Sequence, residues 1–124
     1  MKRLFVIVIA VTISATYFSC KDASELNKNT PPTAIFTYSP TNIDTTTVVT
    51  FDASLSNDPE DPVSMLTYKW DFTGKQQWTD ATSSPTMSHL YSKSGTYEVK
   101  LKVLDSEGWS GETSKTIIVF DSIR

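Results

Sequence analysis

In three stretches of this chain every second residue is apolar. Val49, Phe51 and Ala53 alternate with Thr50 and Asp52. Leu66, Tyr68, Trp70 and Phe72 alternate with Thr67, Lys69 and Asp71, and Tyr97, Val99, Leu101 and Val103 with Glu98, Lys100 and Lys102. Successive side chains of a β-strand point to opposite faces, so this repeat puts one face on a core and the other in water. The apolar positions are β-branched and aromatic, as half-buried strands prefer. From Thr33 onward nothing keeps a helical period, and Thr113 to Phe120 reads as a last, more apolar strand. Turn clusters separate the runs: Ser39–Asn42, Ser56–Pro62, Thr73–Lys75, Ser83–Pro85, Lys93–Gly95 and Ser106–Gly111. Short alternating strands with this punctuation predict an all-β antiparallel sandwich. About seven strands in roughly 90 residues is immunoglobulin-like size.

The N-terminal part follows other rules. Met1-Lys2-Arg3 is basic, and Leu4 to Ala15 is almost wholly apolar. That run is short of the roughly 20 residues that span a bilayer. A basic start, a short apolar core and small residues before a cut point describe a secretory signal peptide, here residues 1–19. The chain's single cysteine, Cys20, follows at once. Tyr17-Phe18-Ser19-Cys20 resembles a bacterial lipobox, with Tyr17 where an aliphatic residue is usual. The resemblance implies that Cys20 is acylated and anchors the protein in a membrane; the alternative is an ordinary signal peptide with a stray cysteine. Several acyl chains on one residue hold stably. Residues 20–31 then form the lipidated cysteine and a flexible polar tether that runs up to the proline pair Pro31-Pro32. Lys21 to Glu25 resemble short charged signals that direct some lipoproteins to the cell surface, or are plain hydrophilic linker. The expected location is the bacterial cell envelope, on the outer membrane. Beyond the signal peptide, nine basic residues face fourteen acidic ones, a formal charge of about −5. This argues against nucleic acid and against electrostatic docking on anionic lipid.

Trp70 sits mid-strand on an inward face, where immunoglobulin folds bury a tryptophan. Gly95-Thr96-Tyr97 opens an alternating strand with a tyrosine, the pattern of a tyrosine corner. Val99 stands where antibody domains carry a disulfide cysteine, so apolar packing replaces that cross-link. With these residues, Val49–Ser54, Tyr68–Phe72, His89-Leu90-Tyr91, Leu101–Asp105 and Gly108 resemble a PKD (polycystic kidney disease) domain. The resemblance covers residues 32–120, leaving a tail at 121–124. One departure is the turn after Trp70-Asp71-Phe72, where Thr73-Gly74-Lys75 replaces the family's Gly-Asp-Gly. The resemblance implies a seven-stranded sandwich acting as spacer or as a protein- or carbohydrate-contacting module.

Little in the chain suits catalysis. The only histidine, His89, occupies a position where the family has a structural one, and Cys20 lies in the anchor, so no Cys-His pair exists. Asn57-Asp58-Pro59-Glu60-Asp61 offers clustered oxygen ligands of the kind calcium takes. Some PKD domains bind calcium at this loop, and the matching positions here are Asp58, Glu60, Asp105 and, from the N-terminal approach, Asn29 or Thr30. A solvated acidic turn is the alternative. Calcium is the one candidate cofactor. Trp78 and Trp109 lie among small and polar residues and suit stacking on a sugar or anchoring a partner protein; the alternative is that they cap the sandwich. The expected function is a lipid-anchored, non-enzymatic binding or adhesion module contacting a cell-surface protein or glycan. The alternative is a structural spacer or assembly subunit of an envelope complex.

Overall fold

A computed structural model describes residues 28–123. Cys20, the segment read as a signal peptide and most of the segment read as a tether lie outside the described residues. Seven strands form in chain order: β1 (Thr37–Ser39), β2 (Ile43–Asp44), β3 (Val48–Asp52), β4 (Thr67–Asp71), β5 (Thr86–Leu90), β6 (Gly95–Leu104) and β7 (Ser110–Phe120). A short 3-10 turn, Val63–Met65, precedes β4. The strands make two sheets, β1-β3-β5 and β2-β7-β6-β4. All pairings are antiparallel except β2 with β7, which is parallel and two residues long.

The alternation does what it predicts. Val49, Phe51 and Ala53 from one sheet, and Leu66, Tyr68, Trp70, Phe72, Val99, Leu101 and Val103 from the other, are all buried. Ile117 and Val119 of β7 join them, with Phe36 and Ile43. Trp70 lies at the centre. Its ring meets Phe36 edge-on at 5.3 Å and Phe51 at 5.7 Å, and lies parallel to Phe72 at 6.0 Å. Phe72 stacks on His89 at 4.3 Å, and His89 meets Tyr91 edge-on at 4.5 Å. The aromatic chain ends at Tyr97, 4.4 Å from Tyr91. Offset and edge-to-face pairs of this kind add about 0.5–1.5 kcal/mol each beyond burial.

The tyrosine corner is present: the Tyr97 hydroxyl donates to the Lys93 carbonyl at 2.8 Å. Tyr91 makes a second such link, donating to the Phe72 carbonyl at 3.0 Å. Two boundaries differ from the sequence reading. β7 begins at Ser110, three residues before the expected Thr113, because Glu112 and Ser110 pair with Lys102 and Leu104 whatever their polarity. The turn before it therefore shrinks to Asp105–Trp109. At the other end the domain reaches back to Asn29 and Thr30, which are hydrogen-bonded into it.

Two buried polar atoms of the core, the Tyr68 hydroxyl and Trp70 Nε1, have no hydrogen-bond partner among the described residues. Leaving a buried donor unpaired costs about 1–3 kcal/mol, whereas a made hydrogen bond contributes about 1. Two apparently equivalent substitutions therefore diverge. Tyr68→Phe raises stability, by about 1 kcal/mol in urea unfolding, and Tyr97→Phe lowers it by about the same amount. Loss of stability in Tyr68→Phe contradicts this picture of the core.

Candidate functional site

The β6–β7 hairpin, the loop after β3 and the N-terminal segment meet at one end of the sandwich. The buried Asp105 organises the hairpin: its Oδ1 accepts the backbone N–H of Glu107 (2.9 Å) and of Trp109 (2.8 Å). Its Oδ2 accepts from Asn29 Nδ2 at 2.7 Å, so the same carboxylate ties down the incoming chain. One residue on, Thr30 donates through both N–H (3.2 Å) and hydroxyl (2.7 Å) to Glu60 Oε2. Asp58 Oδ1 accepts the N–H of Glu60 and of Asp61, and Asp61 Oδ2 accepts the N–H of Ser106. The segments carrying the residues singled out for calcium, Asn29, Asp58, Glu60 and Asp105, meet at this end, and of these four side chains only Asn29 and Asp105 bond to each other. The segments are joined by amide–carboxylate, hydroxyl–carboxylate and carboxylate–backbone contacts. Among the described residues no group of three acidic, histidine or cysteine side chains converges as a metal cluster. Of the oxygens in this group, Asp58 Oδ2 is buried and has no hydrogen-bond partner among the described residues.

Nearby contacts lock the same strap. Thr33 and Asn57 exchange backbone bonds at 2.7 and 3.1 Å, and the buried Ser56 hydroxyl bridges the N–H and carbonyl of Ile35. Pro32 is buried against Gly111; a side chain at 111 would run into the Pro32 carbonyl, so the crossing requires glycine. Sequence reasoning missed Gly111, because it lies in a run of small polar residues whose only signal is the glycine itself.

Asp71 was also missed. It is fully buried, and its Oδ1 accepts from Thr73 N–H, Thr73 hydroxyl and Gly74 N–H at 3.0 Å each. Its Oδ2 accepts from Gln76 N–H at 2.8 Å. The departure at Thr73-Gly74-Lys75 is therefore a turn wound on Asp71, with Gly74 and Gln76 at positive φ (72° and 60°).

The chain leaving that turn runs back along the β4 edge, where Thr79 and Tyr68–Thr82 bonds cover it. This places Trp78, partly buried, on the outer face of the four-stranded sheet, with Lys102 Nζ 4.7 Å from its ring centre. Lys69, Lys102 and Glu112 form one row across β4, β6 and β7. Lys102 pairs with Glu112 at 2.9 Å, and Lys100 approaches Glu98 at 3.8 Å. Beside them lies a shallow depression of about 200 Å³ lined by Glu98, Lys100, Glu112, Thr113 and Ser114. Trp109 is elsewhere, 52% exposed on the hairpin at the acidic end. The two tryptophans do not share a surface. His89 is half-sandwiched between Phe72 and Tyr91, and burial pushes its imidazole down toward the neutral form.

These features define an immunoglobulin-like β-sandwich domain. A family model described as PKD domain matches residues 29–119, and the chain belongs to that family. Among curated proteins it is 34% identical over 73 residues to collagenase ColA of Clostridium perfringens, covering 59% of this chain and 6% of the collagenase. Among solved structures it is similar to a chain described in connection with the promiscuous specificity of carbohydrate-binding modules of the β-sandwich superfamily. That match has a TM-score of 0.68 and 38% identity, over 77% of this chain and 36% of that one. The PKD1 domain of Vibrio anguillarum Epp matches with a TM-score of 0.59 and 27% identity, over 77% of this chain and all of that one. The chain thus spans only a small part of the first relatives it matches. Domains of these folds are non-catalytic, though they occur within enzymes such as collagenase.

Burial pushes the carboxyl groups of Asp71 and Asp105 up, but hydrogen bonds outweigh it and hold both below the usual range. For Asp71 the bonds come from Thr73, Gln76 and Gly74; for Asp105, from Asn29, Trp109, Glu107 and Gly108. A folded-state pKa below the unfolded value means stability present above about pH 4 and lost as pH falls through the depressed value. Thermal melts between pH 7 and pH 2 are expected to fall steeply below pH 4. Asp71→Asn lowers the melting temperature at pH 7 and flattens that acid limb. An unchanged limb in Asp71→Asn would contradict the assignment.

Proposed function

We propose that this chain is a non-catalytic binding module that docks carbohydrate on the outer face of its four-stranded sheet. In this reading it is held at the bacterial outer membrane by acyl chains on Cys20. The observation behind the binding reading is the row formed by Trp78, Lys102, Glu112 and Lys69 beside the shallow depression. The exposed part of the indole, with the Lys102 ammonium over its ring and a carboxylate beside it, offers a sugar an apolar surface and paired donors and acceptors for its hydroxyls. Because the lysines on β6 are already matched by Glu98 and Glu112, the surface favours hydroxyl-rich, uncharged chains over polyanions. The likeness to about a third of a chain described in connection with carbohydrate-binding modules supports the same direction. The lipobox-like stretch before Cys20 supports the anchor.

Affinity electrophoresis against neutral and acidic polysaccharides tests this. The protein is expected to be retarded by at least one neutral polymer, and Trp78→Ala to lose at least ten-fold of that affinity while melting within a few degrees of wild type. Retardation unaffected by Trp78→Ala would move the site elsewhere. No retardation by any polymer would favour a structural spacer, the reading suggested by how small a share of the collagenase the domain covers.

A second proposal concerns calcium. The residues that would hold it are Asp58, Glu60, Asp105 and Asn29, all oxygen-bearing and carried by segments that meet at one end, though a cation would have to draw their side chains together. The unpartnered buried Asp58 Oδ2 is the atom that favours a cation there. The expected outcome of a titration to millimolar calcium is a rise in melting temperature that Asp58→Asn abolishes. A flat titration would leave the corner as a purely hydrogen-bonded strap.

A further inference from the structure

The exposed apolar residues of the acidic end have no role in the reading above. Trp109, Val63 and Met65, with Leu55 on the neighbouring loop, are each half or more exposed. Trp109 and the 3-10 turn belong to adjoining segments, since Ser106 is bonded to Asp61 and β4 starts opposite Leu104. The incoming chain is fastened to this same end by the Asn29–Asp105 and Thr30–Glu60 bonds. We infer that this end faces the membrane, with Trp109 resting at the lipid–water interface of a zwitterionic surface. The inference rests on the proposed anchor at Cys20.

Covalent length biases the orientation. Nine peptide units separate Cys20 from Asn29, a reach of about 30 Å at full extension. The longest strand, β7, has eleven residues and is about 35 Å long. With Cys20 in the bilayer, the far end of the sandwich, where β7 finishes at Phe120, would meet the same membrane only with the tether drawn out to its full length. The end carrying Trp109 meets it without that extension. A short tether also keeps this end at millimolar effective concentration near the surface, so a patch too small to bind lipid alone is held in contact. Tryptophan favours this depth because its ring is apolar and its N–H is polar. The charge of the end selects the lipid. Asp58, Glu60, Asp61, Asp105 and Glu107 lie in the same loops as the patch, and anionic headgroups repel them. The glycan face, on the side of the sandwich, stays clear of the bilayer in this pose.

The test uses full-length protein purified from membranes and reconstituted in phosphatidylcholine vesicles with brominated acyl chains, which quench nearby tryptophan. Quenching is expected in wild type and in Trp78→Phe, and is lost in Trp109→Phe. It also falls as phosphatidylglycerol replaces phosphatidylcholine at low salt. Intact mass on the same sample separates the two possible failures. Acylated protein whose Trp109 is not quenched, or whose quenching survives Trp109→Phe, overturns the orientation alone. An unmodified Cys20 overturns the anchor and the orientation with it.

Discussion

Trp70 is the contact on which the two sheets depend. It projects from the middle of β4 into a ring of Phe36, Phe51 and Phe72, each within about 6 Å of it and drawn from different segments of the chain. The domain has no cysteine to tie its sheets together, and Val99 is fully buried where a cross-link stands in antibody domains. Aromatic area does that work here. The contacts continue through His89, Tyr91 and Tyr97, so one unbroken line of rings runs from the centre of the core to the corner where β6 begins.

The acidic side chains serve a different purpose from the one their number suggests. Asp71 and Asp105 each sit at the end of a core strand and collect backbone N–H groups from the following turn. Asp44, Asp52 and Asp58 do the same in more exposed turns. A carboxylate is a strong acceptor for several N–H groups at once, and a turn supplies those groups without partners of their own. Much of the negative charge is therefore turn chemistry. In place of the Gly-Asp-Gly usual in the family, Thr73-Gly74-Lys75 keeps a turn because the organising residue is Asp71.

How much of this was legible in the sequence follows from which physical signals are periodic. The alternation along β3, β4 and β6 identified the buried residues because a two-residue repeat has no other explanation at that length. Trp70 and Tyr97 were readable for the same reason, as were the family's spaced motifs. The strand β2 was not, since two residues paired in parallel to β7 leave no pattern. The strap from Asn29 to Asp105 spans 76 positions and depends on one amide. Gly111 matters only because Pro32 crosses it, a fact of tertiary structure. Asn29, Asp58, Glu60 and Asp105 lie on segments that meet at one end, but the sequence could not show that their side chains mainly engage backbone and neighbouring polar groups, with no metal-type cluster among the described residues. The separation of Trp78 from Trp109 was likewise invisible, because each is flanked by similar polar residues.

The domain thus divides its surface: an acidic end that receives the chain and carries Trp109, and a sheet face where Trp78 lies among paired charges. The central claim is that recognition belongs to the sheet face. The most direct measurement is an NMR titration of the isotope-labelled protein with an oligosaccharide of the polymer it retains. Shift changes concentrated at Lys69, Trp78, Lys100, Lys102 and Glu112 are the predicted result. Changes concentrated at Trp109 and the 55–65 loop would contradict it.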